Sequence, residues 1–274
     1  MDNAAGPDGF TNKLFMFYWD IIHIDVINAV RELFHHSYMP FRMNTNFISL
    51  ILKKDNSLDI KDFRPIAIGN SIPKVISKIM AIRIGEVAKN LVSVSQFGFF
   101  PGRNIQNYLF TASACINIMK GKTQYGIMAL KVYIYKAFDT IRWEIIFSII
   151  MIHGFSESYI GLIFSILKSS SLSILVNGSP RGFIQCTRGV RKGDPLSGIL
   201  FPMAEDYLSM CLHYLVNSGL YQRMRAGRNS FSHSHLFYAD DILLFCKANR
   251  ETVSYIKNIF SHYGEVSGQV ISWN

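Results

Sequence analysis

One stretch limits what this chain can be: His235-Leu236-Phe237-Tyr238-Ala239-Asp240-Asp241-Ile242-Leu243-Leu244-Phe245-Cys246. Two adjacent carboxylates, Asp240 and Asp241, stand between two short apolar and aromatic runs. That pattern predicts a β-hairpin with both acids at or beside its tip. A hairpin tip in solvent normally carries Gly or Asn, so turn chemistry does not account for the acids. Two readings remain open from the residues alone. The acids are a solvated loop pair, or they belong to a metal site. Mg²⁺ prefers hard carboxylate oxygens, and two such ions about 3.5–4 Å apart serve in-line phosphoryl transfer. Two cations that close need several carboxylates, so the metal reading demands a third acid from elsewhere in the chain.

The 274 residues suffice for one large domain or two small ones. Lys and Arg number 28 against 19 Asp and Glu, a formal charge of +9. That balance suits a polyanion such as nucleic acid or an anionic membrane surface, and does not choose between them. Hydrophobic residues reach 49%, so membrane spans have to be considered. The most apolar stretch, Ile145 to Leu167, is interrupted by His153, Gly154, Ser156, Glu157 and Ser158. Neither half reaches the roughly 20 residues of a spanning helix, and the stretch reads as two packed helices. The start, Met1 to Gly6, shows no basic segment followed by an apolar one. The expectation is a soluble, intracellular protein without a membrane partner, its compartment left open. Cys115, Cys186, Cys211 and Cys246 lack zinc-like spacing and read as small hydrophobes in a reducing compartment.

Along the chain, Gly6-Pro7-Asp8-Gly9 is a turn cluster opening onto a helical pattern from Phe10 to His36. Asn46 to Lys54 reads as a strand with a basic exit, and Asp62-Phe63-Arg64-Pro65-Ile66 as an extended segment, since a residue before proline is pushed out of the helical region. A helix starts at Ser71 with Pro73 in its first turn. Gln96 to Arg103 is a loop, and Asn104 can cap the helix after it. Arg103 is read either as a solvated turn residue or as a phosphate contact. Ile127 to Ile134 is a strand candidate, turned by Lys136-Ala137-Phe138-Asp139 into a helix. Asn177-Gly178 marks a hairpin. The loop Arg188-Gly189-Val190-Arg191-Lys192-Gly193-Asp194-Pro195-Leu196-Ser197 precedes a helix, a setting in which backbone N–H groups and cations can hold an anion; its alternative is an ordinary surface loop. Interleaved helices and strands, with antiparallel hairpins late in the chain, predict an α+β arrangement.

Six blocks thus stand in order: Gly6-Pro7-Asp8-Gly9, Asp62-Phe63-Arg64-Pro65-Ile66, Pro101-Gly102-Arg103, Lys136-Ala137-Phe138-Asp139, Arg188 to Ser197, and Tyr238-Ala239-Asp240-Asp241. The ordered set resembles the reverse transcriptase of LINE-type non-LTR retrotransposons, most like the plant elements, over nearly the whole chain. The resemblance implies right-hand polymerase fingers over residues 1–125 and, over 126–274, a palm whose antiparallel sheet is backed by helices. It also implies copying of an RNA template at a DNA primer from deoxynucleoside triphosphates, with two Mg²⁺ ions held mainly by palm aspartates. Asp240 and Asp241 match the paired palm acids. Phe138 matches the aromatic residue under the deoxyribose, its alternative being a core aromatic. Arg64 and Lys53 match finger residues that meet the triphosphate. The loop with Arg188, Lys192 and Gly193 matches the segment against the nascent base pair and template. No endonuclease, thumb, ribonuclease H or zinc-knuckle region is recognised.

In the family, the strand before Lys-Ala-Phe-Asp carries the third acid; the matching position here is Tyr133. A phenol keeps its proton at neutral pH and is a poor Mg²⁺ ligand. Losing an outer partner of a metal ligand already costs about 10–100-fold, and losing a bridging ligand costs more. Asp139, beyond a turn, reads as a capping or structural acid rather than a substitute. Other departures are Lys192 for the usual glutamine, Gly198 for a proline, Leu52 for the proline before Lys53, and Tyr135 for a serine. The sequence therefore predicts a reverse transcriptase domain with an incomplete two-ion site and impaired synthesis. The alternatives are an inactive remnant that at most binds nucleic acid, and a maturase-like partner, which would want a basic thumb-like extension.

Overall fold

The structure is a computed structural model that describes residues 4–55, 59–120, 126–224 and 233–273; residues 1–3 of the N-terminal segment considered above lie outside them. In chain order the elements are α1 (Asn12–Phe17), α2 (Trp19–His36), β1 (Thr45–Leu52), β2 (Phe63–Gly69), α3 (Ser71–Leu91), α4 (Ile105–Met119), β3 (Ile127–Tyr135), α5 (Ala137–Thr140), α6 (Trp143–Ile152), α7 (Glu157–Lys168), β4 (Ser171–Val176), β5 (Ser179–Gln185), α8 (Ser197–Asn217), β6 (His235–Tyr238), β7 (Asp241–Lys247), α9 (Arg250–Ser267) and β8 (Val270–Trp273). They form two compact units, each from two stretches of chain: residues 1–82 with 154–197, and 83–153 with 198–274. The expected division between residues 125 and 126 falls within the second unit.

The first unit holds a four-stranded sheet in the order β2-β1-β4-β5. β1 and β2 are antiparallel, from Asn46 opposite Gly69 to Leu52 opposite Phe63, and β1 meets β4 in parallel. β4 and β5 form the hairpin expected at Asn177-Gly178, whose φ values of 49° and 76° suit a two-residue turn of primed type. The Gly6 to Gly9 cluster docks on the end of β2. Asn70 accepts from the Asp8 N–H at 3.1 Å and donates to the Met43 carbonyl at 2.9 Å. A side chain at Gly6 would collide with Asn70, so close approach requires glycine there. The single helix expected from Phe10 is broken at Tyr18, whose ψ of 14° leaves the helical region; its N–H ends α1 on Leu14 and its carbonyl starts α2 with Ile21 and Ile22.

The second unit holds the antiparallel sheet β6-β7-β3-β8. Alternation along β3 sorts its faces: Val132 and Ile134 are fully buried, whereas Lys131, Tyr133 and Tyr135 are exposed. α4 covers part of the sheet through Tyr108, Ala112 and Cys115, which cluster with Leu236 and Phe245. α8 is tied to β6 by Ser209 and His235, whose Oγ and Nε2 lie 2.8 Å apart. Asn104 caps α4 and Asn249 caps α9 by accepting backbone N–H groups at 2.9 and 2.7 Å, and Gly268 ends α9 with φ 72°. The four cysteines are free thiols, Cys115 and Cys246 buried. Among the described residues no helix is long and apolar enough to cross a membrane.

Candidate functional site

Tyr238 and Asp241 close the β6–β7 hairpin, and Ala239-Asp240 form its two-residue turn. Both acids thus sit where the sequence predicts, Asp240 in the turn and Asp241 at the first position of β7. The turn asks Ala239 to adopt φ 51°, a left-handed conformation that costs an L-residue about 1–2 kcal/mol. The loop before Arg103 supports it. Phe237 donates to the Ser95 carbonyl and accepts from the Phe97 N–H, each at 2.8 Å, so this loop lies along β6 as a short extra strand. A methyl group at Gly98 would stand 2.8 Å from the Ala239 nitrogen, which shows how closely the loop underlies the turn. Gln96 locks the arrangement: its Oε1 accepts from the Gly98 N–H and its Nε2 donates to Glu205 Oε2, both at 2.9 Å.

Glu205 and Asp206, on α8, are acids that sequence reasoning missed. Glu205 is completely buried, and its Oε1 has no hydrogen-bond partner among the described residues. Burial pushes its carboxyl well above the ordinary range; the Gln96 hydrogen bond opposes this, while the charges of Asp240, Asp206 and Asp241 add to it. Burial likewise raises Asp206 to about 6, against the Ser93 N–H it accepts and the nearby Arg103. The available signal was an acid pair set among Phe201, Met203, Ala204 and Leu208 on a helix, where buried carboxylates are uncommon. Arg103 fits neither reading given above. Its guanidinium donates to the carbonyls of Ser93 and Gln96 at 2.6 Å and of Lys89 and Val92 at 2.8 and 3.0 Å. It satisfies carbonyls at the end of α3 and in the loop after it, so this partly buried side chain is held by backbone rather than kept for a phosphate.

Tyr133 lies directly across from Asp241 in the β3–β7 ladder. Opposed residues in such a ladder have Cα atoms about 4.5–5.5 Å apart, so position 133 is within reach of whatever Asp241 holds. Asp241 Oδ1 is met at 3.0 Å by the Lys131 ammonium, from the same face of β3. Both groups are well exposed, and pairs of this kind contribute about 0.2–1 kcal/mol. From α4, the Tyr108 phenol stands near enough that burial, aided by the Asp241 charge, pushes it up to about 12. The donor set around the turn is therefore two carboxylates, two phenols and a lysine. It fits a two-ion Mg²⁺ centre poorly, because one acid is missing and a cation already meets another. Among the described residues no group of three or more His, Cys, Asp or Glu is placed to hold an ion, and Asp139, exposed on α5, does not complete one. Phe138 is half-buried, stacked on Phe201 with centroids 4.3 Å apart and edge-on to Phe99 at 6.4 Å.

The other expected site residues belong to the first unit. Lys53 follows β1 directly and donates to the Lys61 carbonyl at 2.6 Å; Arg64 lies exposed on β2, opposite Ile51. With Lys54, which pairs with Asp62 at 3.0 Å, they place three cations at the end of the β1–β2 hairpin, alongside Asp55, Asp59 and Asp62. In the loop before α8, Arg191 turns inward: it pairs with Asp194 at 2.8 Å and donates to Asn44 and Asn46 at 2.6 and 3.2 Å. This fixes the loop from beneath and leaves Arg188, Lys192 and Gly193 on its exposed side, Gly193 with φ 88°.

Residues 51–274 match the family model described as "Reverse transcriptase (RNA-dependent DNA polymerase)". The chain is 27% identical over 244 residues, 89% of its length, to the "Transposon TX1 uncharacterized 149 kDa protein" of Xenopus laevis, and covers 18% of it. It is 27% identical over 203 residues, 74% of its length, to the "Retrovirus-related Pol polyprotein from type-1 retrotransposable element R2" of Nasonia vitripennis, and covers 19% of that protein. It therefore spans less than a fifth of these relatives. Among solved structures, telomerase from Candida tropicalis bound to a TWJ fragment of telomeric RNA superposes with a TM-score of 0.58 over 84% of this chain and 40% of that one, at 12% identity.

Proposed function

The chain belongs to the reverse transcriptase (RNA-dependent DNA polymerase) family and has the right-hand polymerase fold, and from that premise we propose that it is a retrotransposon reverse transcriptase domain whose nucleotidyl transfer is impaired. The observation that carries this reading is Tyr133 standing opposite Asp241. In a two-ion polymerase the carboxylates neutralise and position a pair of Mg²⁺ ions that stabilise the attacking and leaving oxygens of the transferred phosphoryl group. Here Asp240 and Asp241 retain that role in residue type and place. Position 133 supplies a phenol in place of a carboxylate, and Lys131 competes for Asp241.

The remaining assignments follow the family. Residues 1–125 act as fingers and 126–274 as palm. Lys53 and Arg64 meet the triphosphate of the incoming nucleotide, Phe138 lies under its sugar, and Arg188, Lys192 and Gly193 contact the nascent pair and RNA template. Two chemical features support them: exposed cations at the β1–β2 tip and the inward anchoring of Arg191, which presents its neighbours outward. The test is primer extension on a poly(A) RNA template with Mg²⁺, comparing the chain, Tyr133→Asp, and Tyr133→Asp combined with Asp240→Ala. Tyr133→Asp is expected to raise extension at least about 100-fold, beyond the range for losing an outer partner of a metal ligand, and added Asp240→Ala to abolish it. Robust extension by the unmodified chain that Asp240→Ala removes would overturn the impairment.

A further inference from the structure

The residue that spoils the metal site also creates something. Tyr133 and Tyr135 are two apart on β3, on the same face, and are 43% and 48% exposed. Residues so placed stand about 6.6–6.8 Å apart along a strand. Neither α4's buried cluster nor β8 covers them: their neighbours on β8 are Ser272, opposite Tyr133, and the exposed Val270, opposite Tyr135. The Lys136 ammonium stands 5.4 Å from the Tyr135 ring centroid, and the Lys131 side chain is 65% exposed. The acid on this patch, Asp241, is met by Lys131, so its charge repels a phosphate less than a bare carboxylate would.

We propose that this end of the sheet is a stacking platform for single-stranded nucleic acid, with one base on Tyr133, the next on Tyr135, and Lys136 meeting a phosphate while Lys131 masks Asp241. The spacing selects the ligand. Bases in a duplex strand rise about 3.4 Å per step, half the spacing of the two residues along the strand, so a strand free to open its stack is the one suited to place successive bases on both. Aromatic side chains on an open sheet face with flanking cations are an established physical solution for such strands. The net charge of +9 favours the same partner. The platform needs no metal, nucleotide or turnover, so it goes beyond the polymerase reading and can fail without it.

The test is fluorescence anisotropy in EDTA with labelled oligouridylate, oligothymidylate and an abasic strand, each of about 12 nucleotides, a length within common site sizes. The chain should bind both base-bearing strands more tightly than the abasic one, and the tighter of the two tells RNA from DNA. Tyr133→Ala and Tyr135→Ala should each weaken binding roughly 5- to 140-fold, the range that stacking on one ring supplies. Tyr→Phe at either position should keep the affinity, and Tyr→Leu, which holds apolar bulk without a π-face, should lose it while circular dichroism shows an intact fold. Equal binding of abasic and base-bearing strands would overturn the platform, as would Leu variants that bind as tightly as the parent. Tyr133→Asp separates the two readings, since it should weaken strand binding in EDTA and raise extension in Mg²⁺.

Discussion

Among the described residues, two hairpins have two-residue turns, and they are built on opposite principles. β4–β5 turns on Asn177-Gly178, two residues that accept positive φ cheaply, and every residue of β5 is exposed. β6–β7 turns on Ala239-Asp240, where Ala239 is forced to φ 51°, and its strands are largely buried. The first is specified by its own turn and can afford one exposed strand. The second breaks the local rule and is held by its surroundings: the loop at Ser95 to Gly98 along β6, Gln96 linked to Glu205, and His235 linked to Ser209. Strained turns persist where neighbours over-determine them, and such places are commonly functional. The acids sit on the hairpin that cannot hold itself.

Removing a side chain from each hairpin tests this contrast most strongly. Phe237 is 1% exposed in β6, and Phe183 is 57% exposed in β5, where its ring meets only Phe41 among the described aromatics, with centroids 5.2 Å apart. Phe237→Ala is expected to cost about 3–5 kcal/mol, the range for emptying a buried aromatic site, while Phe183→Ala should stay within about 1 kcal/mol. Urea unfolding followed by tryptophan fluorescence reads both. Equal costs would mean that the β6–β7 hairpin draws no special support from the core.

The contrast also explains what could be read from the sequence. Alternation and turn chemistry are local, so the Asn177-Gly178 hairpin, the acid hairpin, and the caps at Asn104 and Asn249 were legible or could have been. The support of the second hairpin is not local. Nothing in Ser95-Gln96-Phe97-Gly98 announces that it lies along a strand some 140 positions later, and Arg103 carries no mark of the carbonyls it satisfies. Periodicity tells which face of β3 is outward, not that Lys131 meets Asp241 on it. Gly98 makes the hidden contact testable. Gly98→Ala pushes a methyl group against the Ala239 backbone nitrogen, 2.8 Å away, and should cost about 1–3 kcal/mol, as forced overpacking does. A methyl at Gly178 meets nothing within 4 Å, so any cost there is conformational only. An unperturbed Gly98→Ala variant would sink the claim that the loop props up the acid turn.

The smallest effect expected is a slope with pH, and it too belongs to one hairpin. Glu205, linked through Gln96 to the loop under Ala239, has its carboxyl raised well above 4.5 by burial. A carboxyl raised on folding contributes stability that is full below its unfolded value and is lost as pH climbs toward its folded one. One proton held only by the folded state gives at most about 1.36 kcal/mol of loss per pH unit. Asp206, raised to about 6, acts with the same sign below that pH, whereas His235, lowered to about 3 by burial, acts with the opposite sign from its ordinary 6.5 downward. Subtracting a Glu205→Gln variant removes both of these background contributions, because glutamine keeps the size and a hydrogen bond to Gln96 without titrating. The stability of the parent minus that of Glu205→Gln should therefore fall as pH rises above 5. Hydrogen exchange should place the added opening at β6–β7 and not at β4–β5. A flat difference curve would mean that Glu205 ionises in the fold as easily as out of it, and that the support beneath the acid turn is wetter than its burial implies.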